Sequence, residues 1–142
     1  MNDTDPRERR GRFEHVAAPP VAADTGADAE QRRTDRYLHD LAERAEDAAF
    51  TASVGREAFL AESTAGRQTR RSARMLIVEV STILHERLPQ SYRDAHPDVP
   101  WREIAGMRNR ATHVYDGIDD EIVWDVLTVE IPALVRLLGI PG

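Results

Sequence analysis

The segment WREIAGMRNRATHVYDGIDDEIVW, residues 101–124, decides how the rest of the 142-residue chain is interpreted. It contains Arg108 with Asn109 directly after it, followed by His113 and Tyr115. One predicted helix ends near the tyrosine, and another begins shortly after it. No other part of the sequence brings together as many side chains that can bind a phosphate and transfer a proton. The segment therefore predicts two helices with a candidate site at their junction.

The chain before this segment also has helical periodicity. Thr34 is predicted to cap a first helix that ends near Gly55, because apolar residues recur there at helical spacing. Ser63 or Thr64 is predicted to begin a second helix, which Pro89 ends. Its apolar surface is wider than one stripe. A helix of this kind is buried on more than one side, either in the centre of a bundle or at a subunit interface.

The last helix is predicted to begin at Asp119, whose side chain suits an N-cap. Pro132 should kink this helix, because proline cannot donate a hydrogen bond to the carbonyl of residue 128. Strand-like alternation is absent from the sequence. The expected fold class is all-α, an up-and-down bundle of four to five helices over residues 32–142. Residues 1–31 have mixed charge and no apolar period, which predicts a disordered N-terminal arm.

Composition excludes several function classes. The chain has no cysteine, so disulfides, thiolate nucleophiles and cysteine-based zinc sites are ruled out. The net charge of −6 argues against a broad electrostatic surface for nucleic acid. No apolar run is long enough to span a bilayer, so a cytoplasmic protein without a membrane partner is expected. Neither a metal site nor a cofactor is predicted, because no group of His, Asp and Glu has ligand spacing.

All 19 basic side chains are arginines. In the second helix, Arg67, Arg70, Arg71 and Arg74 share one face, at spacings of three and four residues. These four arginines and Arg110 are candidate contacts for RNA phosphates. The alternative for the four is a solvated face with salt bridges to acidic residues of neighbouring helices, and the sequence leaves both open.

Arg108 and His113 are five positions apart, which places them about 140° apart on a regular helix. They can meet at one point only if the helix loosens after Arg108 or if two subunits build the site together. A histidine can accept a proton from a ribose 2′-hydroxyl and return one to the leaving oxygen. Arginine can stabilise the charge that builds up on phosphorus. These two groups are the minimal parts for metal-independent cleavage of RNA by transesterification.

The same run, PWREIAGMRNRATHVYDGIDDEIVW, resembles the HepT-like branch of the HEPN superfamily. The resemblance rests on the HPDVPW linker, the I-A-G-M-R-N entry, the H-x-Y pair and the G-I-D that opens the last helix. It covers Thr34 to Gly139 in architecture and is close from Ala95 to Leu138. One departure lies in the second helix, where this branch usually carries a Gly-Glu pair and the present chain reads Val78-Glu79-Val80-Ser81.

The resemblance implies a homodimeric, metal-independent endoribonuclease. Such a protein is the toxin of a type VII-like toxin–antitoxin pair and is neutralised by a nucleotidyltransferase of the MntA type. By position, Arg108 and His113 would be the catalytic residues, Asn109 would support them, and Tyr115 would be the tyrosine that the partner adenylylates. Two alternatives belong to other classes. One is a catalytically silent HEPN-like module that binds RNA or a nucleotidyltransferase, and the other is a plain helical interaction domain.

Overall fold

A computed structural model describes residues 25–112 and 119–141, and for residues 108–112 it describes the backbone alone. The described residues contain helices and no strand. Short turns separate the helices, and two of the helical segments include one π-helical turn. In chain order, the elements are α1 (Gly26–Ala52), α2 (Arg56–Leu60), α3 (Thr64–Thr82) with a π turn (Ile83–Arg87), α4 (Gln90–Asp94), α5 (Trp101–Thr112), and a last helix made of α6 (Asp120–Asp125), a π turn (Val126–Glu130) and α7 (Ile131–Leu137).

The helix α3 lies at the centre of the bundle. It packs against α1, α5 and the last helix, and α2 closes its N-terminal end. Its apolar side chains fill the middle of the core, most of all Leu76, Ile77, Val80 and Leu84. The wide apolar surface predicted burial on more than one side, and a central position in the bundle was one of the two alternatives for it. The all-α fold class is confirmed.

Three of the predicted helix ends are confirmed. The hydroxyl of Ser63 accepts a hydrogen bond from the backbone N–H of Gly66, so this serine is the N-cap of α3. Pro89 ends the α3 segment, since Leu88 already has an extended backbone. Asp119 caps the last helix, where its carboxylate accepts a hydrogen bond of 2.8 Å from the N–H of Glu121.

The predicted start of α1 is wrong. The helix begins at Gly26, and its N-cap is Thr25, whose hydroxyl accepts from the N–H of Asp28. Thr34 is a buried residue inside the helix, and its hydroxyl donates to the carbonyl of Glu30 at 3.0 Å. The first turns of α1 are mostly polar and exposed, so they show no apolar period. Residues 26–31 of the predicted arm are therefore helical, and residues 1–24 lie outside the described residues.

Pro132 is accommodated by the π turn directly before it. Within this turn, the N–H of Ile131 bonds to the carbonyl of Val126, five residues back. The wider turn absorbs the hydrogen bond that proline cannot make, so the helix continues into α7. Gly139, at a φ of 64°, then ends α7, and Ile140 donates to the carbonyl of Val135 in a closing hydrogen bond. None of the described helices combines the length and apolarity needed to cross a membrane.

Candidate functional site

The candidate site lies at the C-terminal end of α5, which carries Arg108, Asn109 and Arg110 in its last turns. The side chains of these three residues lie outside the described part of the structure. His113 and Tyr115 also lie outside the described residues. The structure therefore defines the two helices that hold the motif, and the convergence of its side chains stays a prediction.

The beginning of α5 is fixed by the linker before it. The indole N–H of Trp101 donates to the carbonyl of His96 at 3.0 Å. The ring of His96 stacks on Tyr92 with 4.1 Å between the ring centroids, and its Nδ1 lies 2.8 Å from the Tyr92 carbonyl oxygen. Burial raises the pKa of the Tyr92 phenol. Val99, which belongs to the same linker, is buried in the core. These contacts hold the N-terminal end of α5 in place.

An open groove of about 520 Å³ runs between α3, α5 and the last helix. Its lining is mostly apolar, and Ile104 and Met107 of α5 contribute to it. Arg108 follows Ile104 by four residues, which is about one helical turn. The groove therefore extends along the helix that carries the motif. Among the described residues, three polar side chains also line the groove, namely Ser81, Glu103 and Glu130.

The structure divides the four arginines of α3 into two pairs. Arg67 and Arg71 are exposed, and Arg67 donates to the hydroxyl of Thr64 at 3.1 Å. Arg70 is only 7% exposed, and Arg74 is partly buried. Both inner arginines form ion pairs with Asp120 at the start of α6. For these two, the structure shows the salt bridges that were the alternative to phosphate contacts.

The guanidinium group of Arg70 also binds the chain between α2 and α3. Its Nη1 atom donates to the carbonyl oxygen of Phe59 at 2.7 Å and to that of Ala61 at 2.9 Å. The approach is close because residue 66 is a glycine. A Cβ atom on Gly66 would lie 2.3 Å from the Ala61 carbonyl oxygen and 3.1 Å from the Arg70 nitrogen. Removing such partners from a buried cation strongly destabilises a protein. The guanidinium group of Arg70 therefore has a structural role in the fold.

The acid-rich start of α6 has three separate structural roles. Asp119 caps the helix, Asp120 pairs with the two inner arginines, and Glu121 forms an exposed ion pair with Arg56 at 2.9 Å. The role of Asp120 was not expected from the sequence, which indicated only a negative charge near the helix N-terminus. The i, i+4 spacing of Arg70 and Arg74 was the available signal, but it does not say which acid pairs with them.

Glu79 occupies the region of α3 where a Gly-Glu pair was expected. Its carboxylate accepts a hydrogen bond of 3.1 Å from Arg44 of α1. This hydrogen bond is the main cause that raises the pKa of Arg44. The groove beside α5 is lined instead by Val80, Ser81 and Leu84, so Glu79 serves the contact between α1 and α3.

The all-α bundle with α3 at its centre is consistent with the HEPN class of helical proteins, and the sequence carries the R-x4-H motif of Arg108 and His113. The family described as "Ribonuclease HepT-like" matches residues 34–139. The chain therefore belongs to the HepT-like ribonuclease family.

Individual relatives are similar over different shares of the chain. A protein of Thermococcus cleftensis named "Probable ribonuclease HepT" is 31% identical over 102 residues, which make up 69% of this chain and 86% of that protein. "Putative RNase MJ1216" of Methanocaldococcus jannaschii is 29% identical over 107 residues, or 75% of this chain and 84% of that protein. "Putative RNase TTE0752" of Caldanaerobacter subterraneus subsp. tengcongensis is 45% identical over 49 residues, which cover 34% of this chain and 44% of that protein. No solved structure matches the chain significantly.

Proposed function

We propose that this protein is a metal-independent RNA endonuclease that uses Arg108 and His113 as its catalytic residues. The observation that carries the proposal is the family match over residues 34–139, because the matched range includes the R-N-x3-H-x-Y motif of this sequence. The names of the relatives, which refer to RNases or to a ribonuclease, support the same substrate class.

In the proposed reaction, His113 accepts the proton of a ribose 2′-hydroxyl group. The 2′-oxygen attacks the adjacent phosphorus, and the bond from phosphorus to the 5′-oxygen breaks. A histidinium returns a proton to the departing 5′-oxygen, which leaves a 2′,3′-cyclic phosphate on one product and a 5′-hydroxyl on the other. Arg108 stabilises the negative charge on the phosphoryl oxygens, and Asn109 orients the phosphate. Arg67, Arg71 and Arg110 are the proposed contacts to flanking phosphates.

The direct test is digestion of a labelled single-stranded RNA by the purified protein in excess EDTA. Cleavage should persist, and the products should end in a 2′,3′-cyclic phosphate. A requirement for a divalent ion would contradict the proposed mechanism. If the protein binds the RNA and leaves it intact, the alternative of a catalytically silent binding module is correct.

A second copy of the chain is the proposed occupant of the groove between α3, α5 and the last helix. The groove is mostly apolar and runs along the helix that carries Arg108. Because Arg108 and His113 lie about 140° apart on a regular helix, a site shared by two copies would let them converge. A two-fold dimer formed through this groove would cover its apolar lining and would also let Arg108 and His113 of different copies meet.

Leu137→Glu should convert this dimer to a monomer. Leu137 lines the groove and is 51% exposed, so a carboxylate there would be buried on dimerisation but would stay in water in the monomer. Light scattering at micromolar concentration measures the change. The matched control is Phe50→Glu, because Phe50 is 79% exposed and is not among the residues that line the groove. Dissociation by the control variant alone would place the dimer contact elsewhere.

The proposed biological setting is a type VII-like toxin–antitoxin pair. The partner is a nucleotidyltransferase of the MntA type that transfers AMP from ATP to the phenol oxygen of Tyr115 and releases pyrophosphate. This proposal is supported by the position of Tyr115, two residues after His113 in a chain of the HepT-like family. An added AMP would place bulk and negative charge where an RNA phosphate must dock.

A further inference from the structure

Asp120 joins the last helix to α3 through two arginines. Its Oδ2 atom lies 3.5 Å from the Nε atom of Arg70, and its Oδ1 atom accepts a hydrogen bond from Arg74. Asp120 follows His113 by seven residues and Tyr115 by five. Among the described residues that follow the motif, Asp120 is therefore the one that forms ion pairs with α3.

The α3 side of this contact is buried and hydrogen-bonded to other parts of the bundle. Arg70 is held by the carbonyl oxygens of Phe59 and Ala61 as well as by Asp120. Phe59 itself is fully buried, and its ring packs against Trp124 of α6 with 5.2 Å between the centroids. Because Arg70 is almost fully buried, it cannot follow Asp120 into a new position without losing these bonds.

The N-terminal side of the motif is tied to the same helix, since α5 packs mainly against α3. The described segments before and after the motif, α5 and the start of α6, are therefore both attached to α3. Catalysis by positioned groups is sensitive to the placement of those groups, since an error of about 1 Å can cost roughly a hundredfold in rate.

We propose that Arg70, Arg74 and Asp120 form a positioning cluster, which sets the location of His113 relative to Arg108 by anchoring the start of α6 to α3. This inference rests on the proposed ribonuclease function for its effect on catalysis. In it, Arg70 and Arg74 act through Asp120 and do not contact the substrate. The proposed contacts to RNA phosphates on α3 are made by the exposed residues Arg67 and Arg71.

Asp120→Asn separates this role from a role of the two arginines in RNA binding. The RNA-binding role predicts tighter binding of RNA, whereas the positioning role predicts slower cleavage. If Arg70 and Arg74 contacted RNA phosphates, removal of their acidic partner would release them and strengthen RNA binding. In the positioning role, the same substitution loosens the anchor. We expect kcat to fall roughly tenfold to a hundredfold, with KM changed less than about twofold.

Glu121→Gln is the matched control. It also removes one negative charge from the first turn of α6, but its partner is Arg56 in an exposed ion pair. We expect kcat within about twofold of the wild-type value, since exposed pairs of this kind contribute little. Arg74→Gln should lower kcat as Asp120→Asn does, and the double variant should lose little more than either single variant. Circular dichroism must show that all four proteins are folded.

Several results would overturn the positioning cluster. These are an unchanged kcat in Asp120→Asn, an equal loss in Glu121→Gln, or tighter RNA binding with faster cleavage in Asp120→Asn. If the wild-type protein cleaves no RNA, the proposed function fails, and the cluster is tested by amide hydrogen exchange over residues 113–125. Exchange should then be about tenfold faster in Asp120→Asn than in Glu121→Gln. Equal rates in the two variants would overturn the anchor itself.

Discussion

Replacing His113 with alanine is expected to slow RNA cleavage by about 10²–10⁴-fold, which is the usual contribution of a positioned general acid–base group. The alanine side chain can neither accept the proton of the 2′-hydroxyl nor return one to the leaving oxygen. Arg108→Ala should slow cleavage by about 10²–10³-fold, because it removes the positive charge that is proposed to stabilise the transition state. Cleavage of a labelled RNA under single-turnover conditions measures both losses, and both variants should relieve growth arrest in cells.

The control for these variants is His85→Ala. His85 lies in the exposed part of the α3 π turn, and its described hydrogen bond is made by its backbone carbonyl, which accepts from Arg93. We expect this variant to cleave RNA at the wild-type rate. Full activity in His113→Ala would refute the proposed general base, whatever the behaviour of Arg108→Ala.

Tyr115→Phe should give a protein that stays toxic when the cognate nucleotidyltransferase is present. The wild-type protein, expressed with that partner and ATP, should gain one or more AMP groups of about 329 Da each and lose its cleavage activity. Phenylalanine keeps the ring but removes the phenol oxygen that is the proposed acceptor of the AMP group. The RNA site of the variant would then stay accessible. In the presence of the partner and ATP, the variant should cleave RNA as the unmodified protein does, and the wild-type protein should show no cleavage.

Intact-mass measurement and peptide mapping locate the modification. Tyr92→Phe serves as the control, because Tyr92 is a half-buried tyrosine whose ring stacks on His96. This variant should still be modified and silenced. If the inhibited wild-type complex carries no AMP on Tyr115, the partner must inhibit by covering the site.

Local signals in the sequence were sufficient to predict much of the fold. Ser63 and Asp119 are side chains that cap helices through contacts within three residues, so no distant partner decides their role. Pro89 ends the α3 segment through its own geometry. The wide apolar surface of α3 indicated burial on several sides, although it could not say whether other helices or a second subunit would cover it.

Two features of the structure were not predicted. One depends on a contact between residues far apart in the sequence, and the other lies in a segment without apolar periodicity. The start of α1 at Gly26 was missed because its first turns are polar, so no apolar period extends past Thr34. The two pairs of arginines could not be separated, because Asp120 follows Arg70 by fifty positions and its proximity is a tertiary contact. At the candidate site, the motif and its helix were predictable, whereas the anchor of α6 became visible only in three dimensions.

The π turn of the last helix has an evolutionary consequence. A π turn holds one residue more than the α-helical turn it replaces, and here that extra residue makes room for a proline that could not donate a hydrogen bond. If the extra residue were deleted alone, Leu127 would lie four residues before the proline, and the proline ring would face the Leu127 carbonyl in a regular α-helix. The insertion and the proline thus compensate each other, and a lineage that loses the insertion must also lose the proline to keep this helix unstrained.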